Sequence, residues 1–138
     1  MFEKHTVVTS DGYILTVFRI PGMKNETKTI NANAAANTNG TNSTNSSAEK
    51  KPQFSDKPPI FMQHGWGDWA ICWVIHRADL APAFQAARAG YDVWLGNSRG
   101  TKESRRHEEY NPDTSKKYWE FSFVEMGLYD LPAVIEMI

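Results

Sequence analysis

The chain has 138 residues, is 41% hydrophobic and carries a formal net charge of −1, which is enough apolar material for one modest core and not for two. Its basic residues are not gathered on one predicted face, which excludes the electrostatic footprint of a nucleic-acid binder. One cysteine, Cys72, rules out an internal disulfide and any zinc site built on paired cysteines, and the four histidines show no H-x-x-x-H spacing, so neither a metal nor a cofactor is expected.

The amino terminus, Met1-Phe2-Glu3-Lys4-His5, has no apolar h-region, and no apolar run approaches the ~20 residues of a bilayer-spanning helix. No membrane-spanning segment is expected, and the compartment stays unassigned. His5 to Thr9 and Gly12 to Ile20 are rich in β-branched and aromatic residues and are joined through Ser10-Asp11-Gly12, which predicts a β-hairpin with an Asp-Gly turn. In its second strand Tyr13, Leu15 and Val17 alternate with Ile14, Thr16 and Phe18, so both faces are to be covered. Pro21-Gly22 ends it.

The composition then changes. From Asn25 to Ala48 nearly every residue is Asn, Thr, Ala or Ser, and such a tract cannot bury a core; a disordered surface insertion is expected over about residues 25–57. Asn25, Asn39, Asn42 and Asn45 head N-x-S/T sequons, a pattern that arises readily by chance in such a tract.

Pro58-Pro59-Ile60-Phe61-Met62-Gln63-His64-Gly65-Trp66-Gly67-Asp68 is an apolar run that stops at a glycine-bounded turn, too short for an ordinary helix. It reads as a buried, central strand delivering a loop at its carboxyl end, where α/β sheets place their ligands. Two readings of the loop stand at this point: a tight strand-to-helix turn, or an oxyanion loop whose backbone N–H groups face a crevice. Trp69 to Arg77 reads as a short helix or packed loop, with Cys72 as a small buried hydrophobe rather than a nucleophile. Asp79 to Ala89 predicts a helix, with Asp79 as cap, Pro82 in the first turn, Leu80, Phe84 and Ala87 on one face, and Gly90 after the end. Tyr91 to Leu95 is a strand, so strand, helix and strand form a right-handed βαβ unit with a parallel pair. This second strand ends in Gly96-Asn97-Ser98-Arg99-Gly100, which must open on the same sheet edge as His64-Gly65.

The basic patch from Arg99 to His107 reads as a solvated loop, and Thr101 to Lys117 as a long surface loop. Ser122 and Glu125 have capping-box spacing. Pro132 predicts a helix break near Asp130 and a new helix beyond it, with Leu131, Val134, Ile135 and Ile138 as the buried stripe.

These blocks resemble the amino-terminal part of the gastric and lysosomal acid lipase group of α/β-hydrolases. The likeness rests on Thr9-Ser10-Asp11-Gly12-Tyr13-Ile14-Leu15, Gln63-His64-Gly65, Ala89 to Gly100, Ser104-Arg105-Arg106-His107, Trp119 to Phe123, and Tyr129-Asp130-Leu131-Pro132-Ala133, which stand in the family's order. The resemblance implies an α/β fold, namely the amino-terminal portion of an α/β-hydrolase: a β-hairpin, a parallel βαβ unit and a final helix, with the sheet incomplete. It implies one partial lipase unit over residues 1–138, and an esterase of neutral lipids, triacylglycerols or steryl esters, working through a Ser-His-Asp triad. The residue after His64-Gly65 would supply an oxyanion N–H, which places that role on the Trp66 backbone, supported by His64 and Gly65; Asn97, Ser98, Arg99 and Gly100 would form the facing crevice loop. The family usually has a leucine at position 66, and an indole there narrows the acyl site.

In the family, the nucleophile elbow follows the helix that begins near Leu131, with acid and base further on. Ser98 and Ser104 lie in or beside glycine-bounded loops, and neither is read as having the elbow pattern. The lid and most of the acyl pocket are not expected in this portion. The chain alone is therefore expected to be inactive, and its strand at Pro59 to Gln63 to need the missing carboxyl-terminal half or another chain to cover its edge. The family points to a secreted or lysosomal setting, although no signal peptide is seen. The rival functions are a non-catalytic binding or regulatory module derived from a truncated lipase, and a doubly wound nucleotide-binding domain; the latter lacks a G-x-G-x-x-G fingerprint or P-loop.

Overall fold

The computed structural model describes residues 2–22 and 56–138. The expected insertion at about 25–57 and its four sequons lie outside the described residues, apart from Asp56 and Lys57.

Strands β1 (Glu3–Val8) and β2 (Ile14–Ile20) form the expected antiparallel hairpin, with Thr6 opposite Thr16. The turn is closed by Gly12 N–H donating to Thr9 O and Thr9 N–H donating to Tyr13 O, each at 2.9 Å. β2 is buried on both faces, as its apolar alternation requires: Leu15 and Val17 pack on one side with Trp94, while Ile20 joins Val93 and Leu95 on the other. β3 (Pro59–Met62) and β4 (Asp92–Leu95) pair in parallel, and the four-stranded sheet has the order β1-β2-β4-β3.

That order corrects one expectation. β3 is not central but lies at the sheet edge and is only half buried, whereas β4, fully buried, takes the middle. An apolar run announces contact with a core but not how many strand neighbours it has. The sheet is open along β3.

Helix α1 (Pro82–Arg88) crosses between β3 and β4 and buries Ala83 and Ala87 against Val93 and Leu95. Its cap is Ala81 without any side-chain bond; Asp79 instead pairs with Arg77, and Leu80 is exposed rather than part of the buried face. The helix starts two residues later than the capping rule suggests because Pro82, with its fixed φ and no N–H, is suited to the first turn. Ala70–Trp73 is a short 3-10 segment that closes the same face.

The opposite face is covered by the carboxyl-terminal helical run. Ser122 and Glu125 form the expected capping box at α2 (Phe123–Glu125), with Ser122 N–H donating to Glu125 Oε2 at 2.7 Å and Val124 N–H donating to Ser122 Oγ at 3.1 Å. The expected break at Asp130 does not occur. Asp130 (φ −69, ψ −50) and Leu131 (φ −62, ψ −48) stay helical, and Met126–Asp130 forms a π-helical turn leading directly into α3 (Leu131–Met137). Pro132 lacks a donor and its ring crowds the carbonyl one turn back, and the wider π turn relieves both problems without breaking the helix. Val134 is buried, but Ile135 points to solvent.

The segment from Arg99 to His107 is solvated only in part: Lys102, Arg105 and Arg106 are exposed, while Arg99 and Ser104 are buried. The Ser104 Oγ accepts the Thr16 N–H at 2.9 Å and donates to Asn97 O at 2.9 Å, while Ile14 N–H donates to Arg106 O at 3.0 Å. Ser104 thus satisfies a main-chain group of β2 and is buried through hydrogen bonds rather than apolar area. Among the described residues, no helix is long and apolar enough to cross a membrane.

Candidate active site

Because β3 and β4 run parallel with Met62 opposite Leu95, the loops that leave them emerge side by side. Gly96 N–H donates to Met62 O at 3.1 Å. A Cβ at Gly96 would sit 2.8 Å from the Phe61 ring and on the Gln63 side chain, so only glycine permits this approach. The two loops are then tied by side chains. Gln63 Nε2 donates to Ser98 Oγ at 2.9 Å, and Ser98 N–H donates to His64 Nε2 at 3.1 Å. With Nε2 accepting, the imidazole proton sits on Nδ1 and is donated to Gly65 O at 2.8 Å. His64 thus brackets the Gly65-Trp66 peptide against the facing loop.

Beyond that bracket the chain turns through Gly67, which adopts φ +75, a conformation other residues rarely take. The N–H groups of Gly65, Trp66 and Gly67 donate to no other described group, and the closing bond of the turn runs from Asp68 N–H to Gly65 O at 3.4 Å. Trp66 is 78% exposed. The loop faces a crevice of about 790 Å³ whose far wall carries Trp119, Phe121, Phe123, Met126 and Leu131. An apolar hollow with a few convergent polar groups is the usual form of a small-molecule site, and this one is roomier than the sequence led one to expect.

The four residues of the facing loop do not act alike. Asn97 is buried and holds the fold: its Oδ1 accepts the Ala70 N–H and its Nδ2 donates to Thr16 O, both at 3.0 Å. Arg99 is 2% exposed, and its guanidinium lies between two carboxylates. Nη1 donates to Asp11 Oδ2 at 2.6 Å and Nη2 to Asp11 Oδ1 at 2.9 Å, while Nε donates to Asp130 Oδ1 and the backbone N–H to Asp130 Oδ2, at 2.8 and 2.9 Å. The Tyr13 ring stacks 3.9 Å from the guanidinium carbon. Burial pushes the Asp11 carboxyl up, but the Arg99 hydrogen bonds outweigh it and hold Asp11 below its ordinary value. Burial dominates at Asp130 and lifts its carboxyl in spite of Arg99, while Arg99, penalised by burial, is raised by the two carboxylates. Sequence reasoning misses this clamp, because residues 11, 99 and 130 carry no local signal that they meet.

Ser98 does satisfy the spacing Gly-x-Ser-x-Gly through Gly96 and Gly100, which corrects the expectation that it lacks that pattern. The geometry is not that of a nucleophile elbow, which places a serine on a strained turn between strand and helix. No non-glycine residue has a positive φ among the described residues, and a 3-10 segment, Lys102–Ser104, follows in place of a helix. The His64 nitrogen that would have to serve as base accepts the Ser98 backbone N–H and not Oγ. Cys72 is half-buried, and burial together with Asp68 pushes its thiol up, away from nucleophile chemistry.

A family model described as a partial alpha/beta-hydrolase lipase region matches residues 1–77, more than half of the sequence. The chain belongs to the α/β-hydrolase lipase family. This lipase region is 42% identical over 137 residues to gastric triacylglycerol lipase of Homo sapiens, 40% over 136 residues to that of Rattus norvegicus, and 35% over 136 residues to lipase 1 of Drosophila melanogaster. Each match covers 99% of this chain. The chain spans 28% of the length of the two gastric lipases and 24% of the Drosophila protein.

Proposed function

We propose that this region supplies the oxyanion loop of a carboxylic ester hydrolase acting on neutral lipids, triacylglycerols or steryl esters, with the Trp66 backbone N–H as one donor. The observation that carries the reading is the unpartnered Trp66 N–H, held by the His64 bracket beside an apolar crevice in a chain of the lipase family. Attack on an ester carbonyl creates a negative oxygen, and a prepositioned donor meets it with no reorganisation; losing one such donor costs roughly 2.7–4 kcal/mol of barrier. His64 and Gly65 act by position, the first through its two hydrogen bonds and the second through the carbonyl that accepts one of them. The relatives named triacylglycerol lipases support the ester class.

The 138 residues form one partial domain and are inactive on their own. A donor without a nucleophile and a base cannot turn over an ester, and the geometry around Ser98 supports neither. The test compares triolein and cholesteryl oleate hydrolysis by the 138-residue chain with hydrolysis by the chain continued through whatever coding sequence follows it. The expected result is no turnover by the first, and turnover by the second that an organophosphate abolishes. Turnover by the 138 residues alone would overturn the inactivity. A continued chain inert toward both esters would overturn the hydrolase reading in favour of a non-catalytic binding module.

A further inference from the structure

The residue that offers the donor also carries the most exposed aromatic ring of the crevice. The Trp66 indole is 78% exposed, yet it lies with its centroid 4.8 Å from the Phe123 ring at an interplanar angle of 59°. Phe123 is itself 64% exposed and is the first residue of α2, where the Ser122–Glu125 capping box fixes the backbone. One ring therefore comes from the β3 loop and the other from the helical run on the far wall, and their contact spans the crevice that both residues line. Neither ring belongs to the two apolar clusters that hold the sheet. Two large rings left in water but touching across an apolar hollow are placed to meet a ligand rather than to support the fold.

The geometry points to Trp66 and Phe123 as an aromatic gate that sets the cross-section of the acyl chain taken by the crevice, admitting one unbranched fatty acyl chain and rejecting branched ones. The inference rests on the reading of the crevice as an ester-hydrolase site. Any chain must part the touching rings to pass between them: an unbranched chain does so by a single methylene width and keeps apolar contact with both, whereas a methyl branch must part them further and loses contact with one. The donor and the gate share one residue, so a chain that spreads the rings also drags the Trp66 N–H, coupling acyl shape to the position of the reacting carbonyl.

The test uses the intact protein that carries this region and needs no turnover. Displacement of a fluorescent unbranched fatty acid by palmitate and by a methyl-branched acid of equal carbon number yields an affinity ratio in which general damage to the fold cancels. The ratio in the unsubstituted protein is expected to favour palmitate by at least about tenfold, the range in which an apolar pocket senses a single methyl-sized change. Trp66→Leu and Phe123→Ala are expected to bring it below about threefold, while Trp66→Phe, which keeps an aromatic partner for Phe123, retains it. A ratio unchanged in both disruptive variants, or lost equally in Trp66→Phe, would overturn the gate and leave the hydrolase reading standing. Failure of every fatty acid to bind would overturn both.

Discussion

At the scale of single residues, the loop chemistry separates groups that touch substrate from groups that hold them. Ser98 looks like a nucleophile by spacing alone, but its hydroxyl accepts from Gln63 and its N–H is taken by His64. If the intact protein has the proposed ester hydrolysis, Ser98→Ala is therefore expected to lower its kcat by no more than about tenfold, whereas loss of a true serine nucleophile removes on the order of 10⁶; steady-state ester hydrolysis distinguishes the two. His64→Ala should do more than Ser98→Ala. It frees the Gly65-Trp66 peptide, and a misplacement of about 1 Å at a reacting group can cost 10²-fold, so kcat should fall by roughly that factor with KM little changed. The His64-Gly65 signal is readable in the sequence because glycine's backbone freedom ends an apolar strand run in a turn, a local signal. Arg99 was not: it resembled its basic neighbours, and only the meeting of Asp11 and Asp130 around it shows why it is buried.

Among elements, the hairpin and the βαβ unit could be read in advance since alternation, turn chemistry and helix spacing are local signals. What escaped was tertiary. Leu80 and Ile135 have the right spacing for buried faces but point to solvent, and Pro132 was absorbed by a π turn because β1, β2 and α3 pack closely enough to keep the helix continuous. The Arg99 clamp joins the hairpin turn, the crevice loop and the π turn. Arg99→Met should destabilise the protein by about 3–5 kcal/mol by leaving two carboxylates uncompensated, and the triple variant Asp11→Asn, Arg99→Met, Asp130→Asn should recover part of it, as apolar or neutral replacements of buried ion networks do; urea melts measure both. Tyr118 locks another junction: it is fully buried, donates to Ser104 O at 3.2 Å and receives the Tyr13 hydroxyl at its carbonyl. Burial pushes its phenol up to about 12 from 10. The unfolded chain then loses this proton before the folded one, so the contribution of Tyr118 is complete below pH 10 and disappears as pH rises through about 12. Its size is on the order of a few kcal/mol. Melting temperatures recorded from pH 9 upward should fall, and fall less in Tyr118→Phe.

For the molecule as a whole, the deciding feature is the open side of the sheet. β3 presents an unpaired, half-buried apolar edge, and such an edge recruits other strands unless something covers it. The isolated 138-residue chain is expected to sediment as aggregates, and chains with Ile60→Lys or Phe61→Pro to be less associated though less stable; a monodisperse monomer with a cooperative melt would show that the edge is harmless. The resemblance of motifs along the chain placed the fold class and the partnership of the two glycine loops. It also implied the open edge at Pro59 to Gln63 where β3 lies; the apolar run taken alone suggested a central strand instead, because strand order depends on which edges find partners and not on the composition of either strand.

The clamp built from Asp11, Arg99 and Asp130 also limits how this chain can change over time. Replacing Arg99 leaves two carboxylates without their cation, whereas replacing Asp11 or Asp130 leaves one ion pair intact and costs the hydrogen bonds of the other, while the three residues sit far apart along the sequence. Variation at Arg99 should therefore be coupled across generations to variation at Asp11 and Asp130, whereas the exposed Trp66, whose proposed donor is its own backbone, is free to change its side chain and so to reshape the crevice.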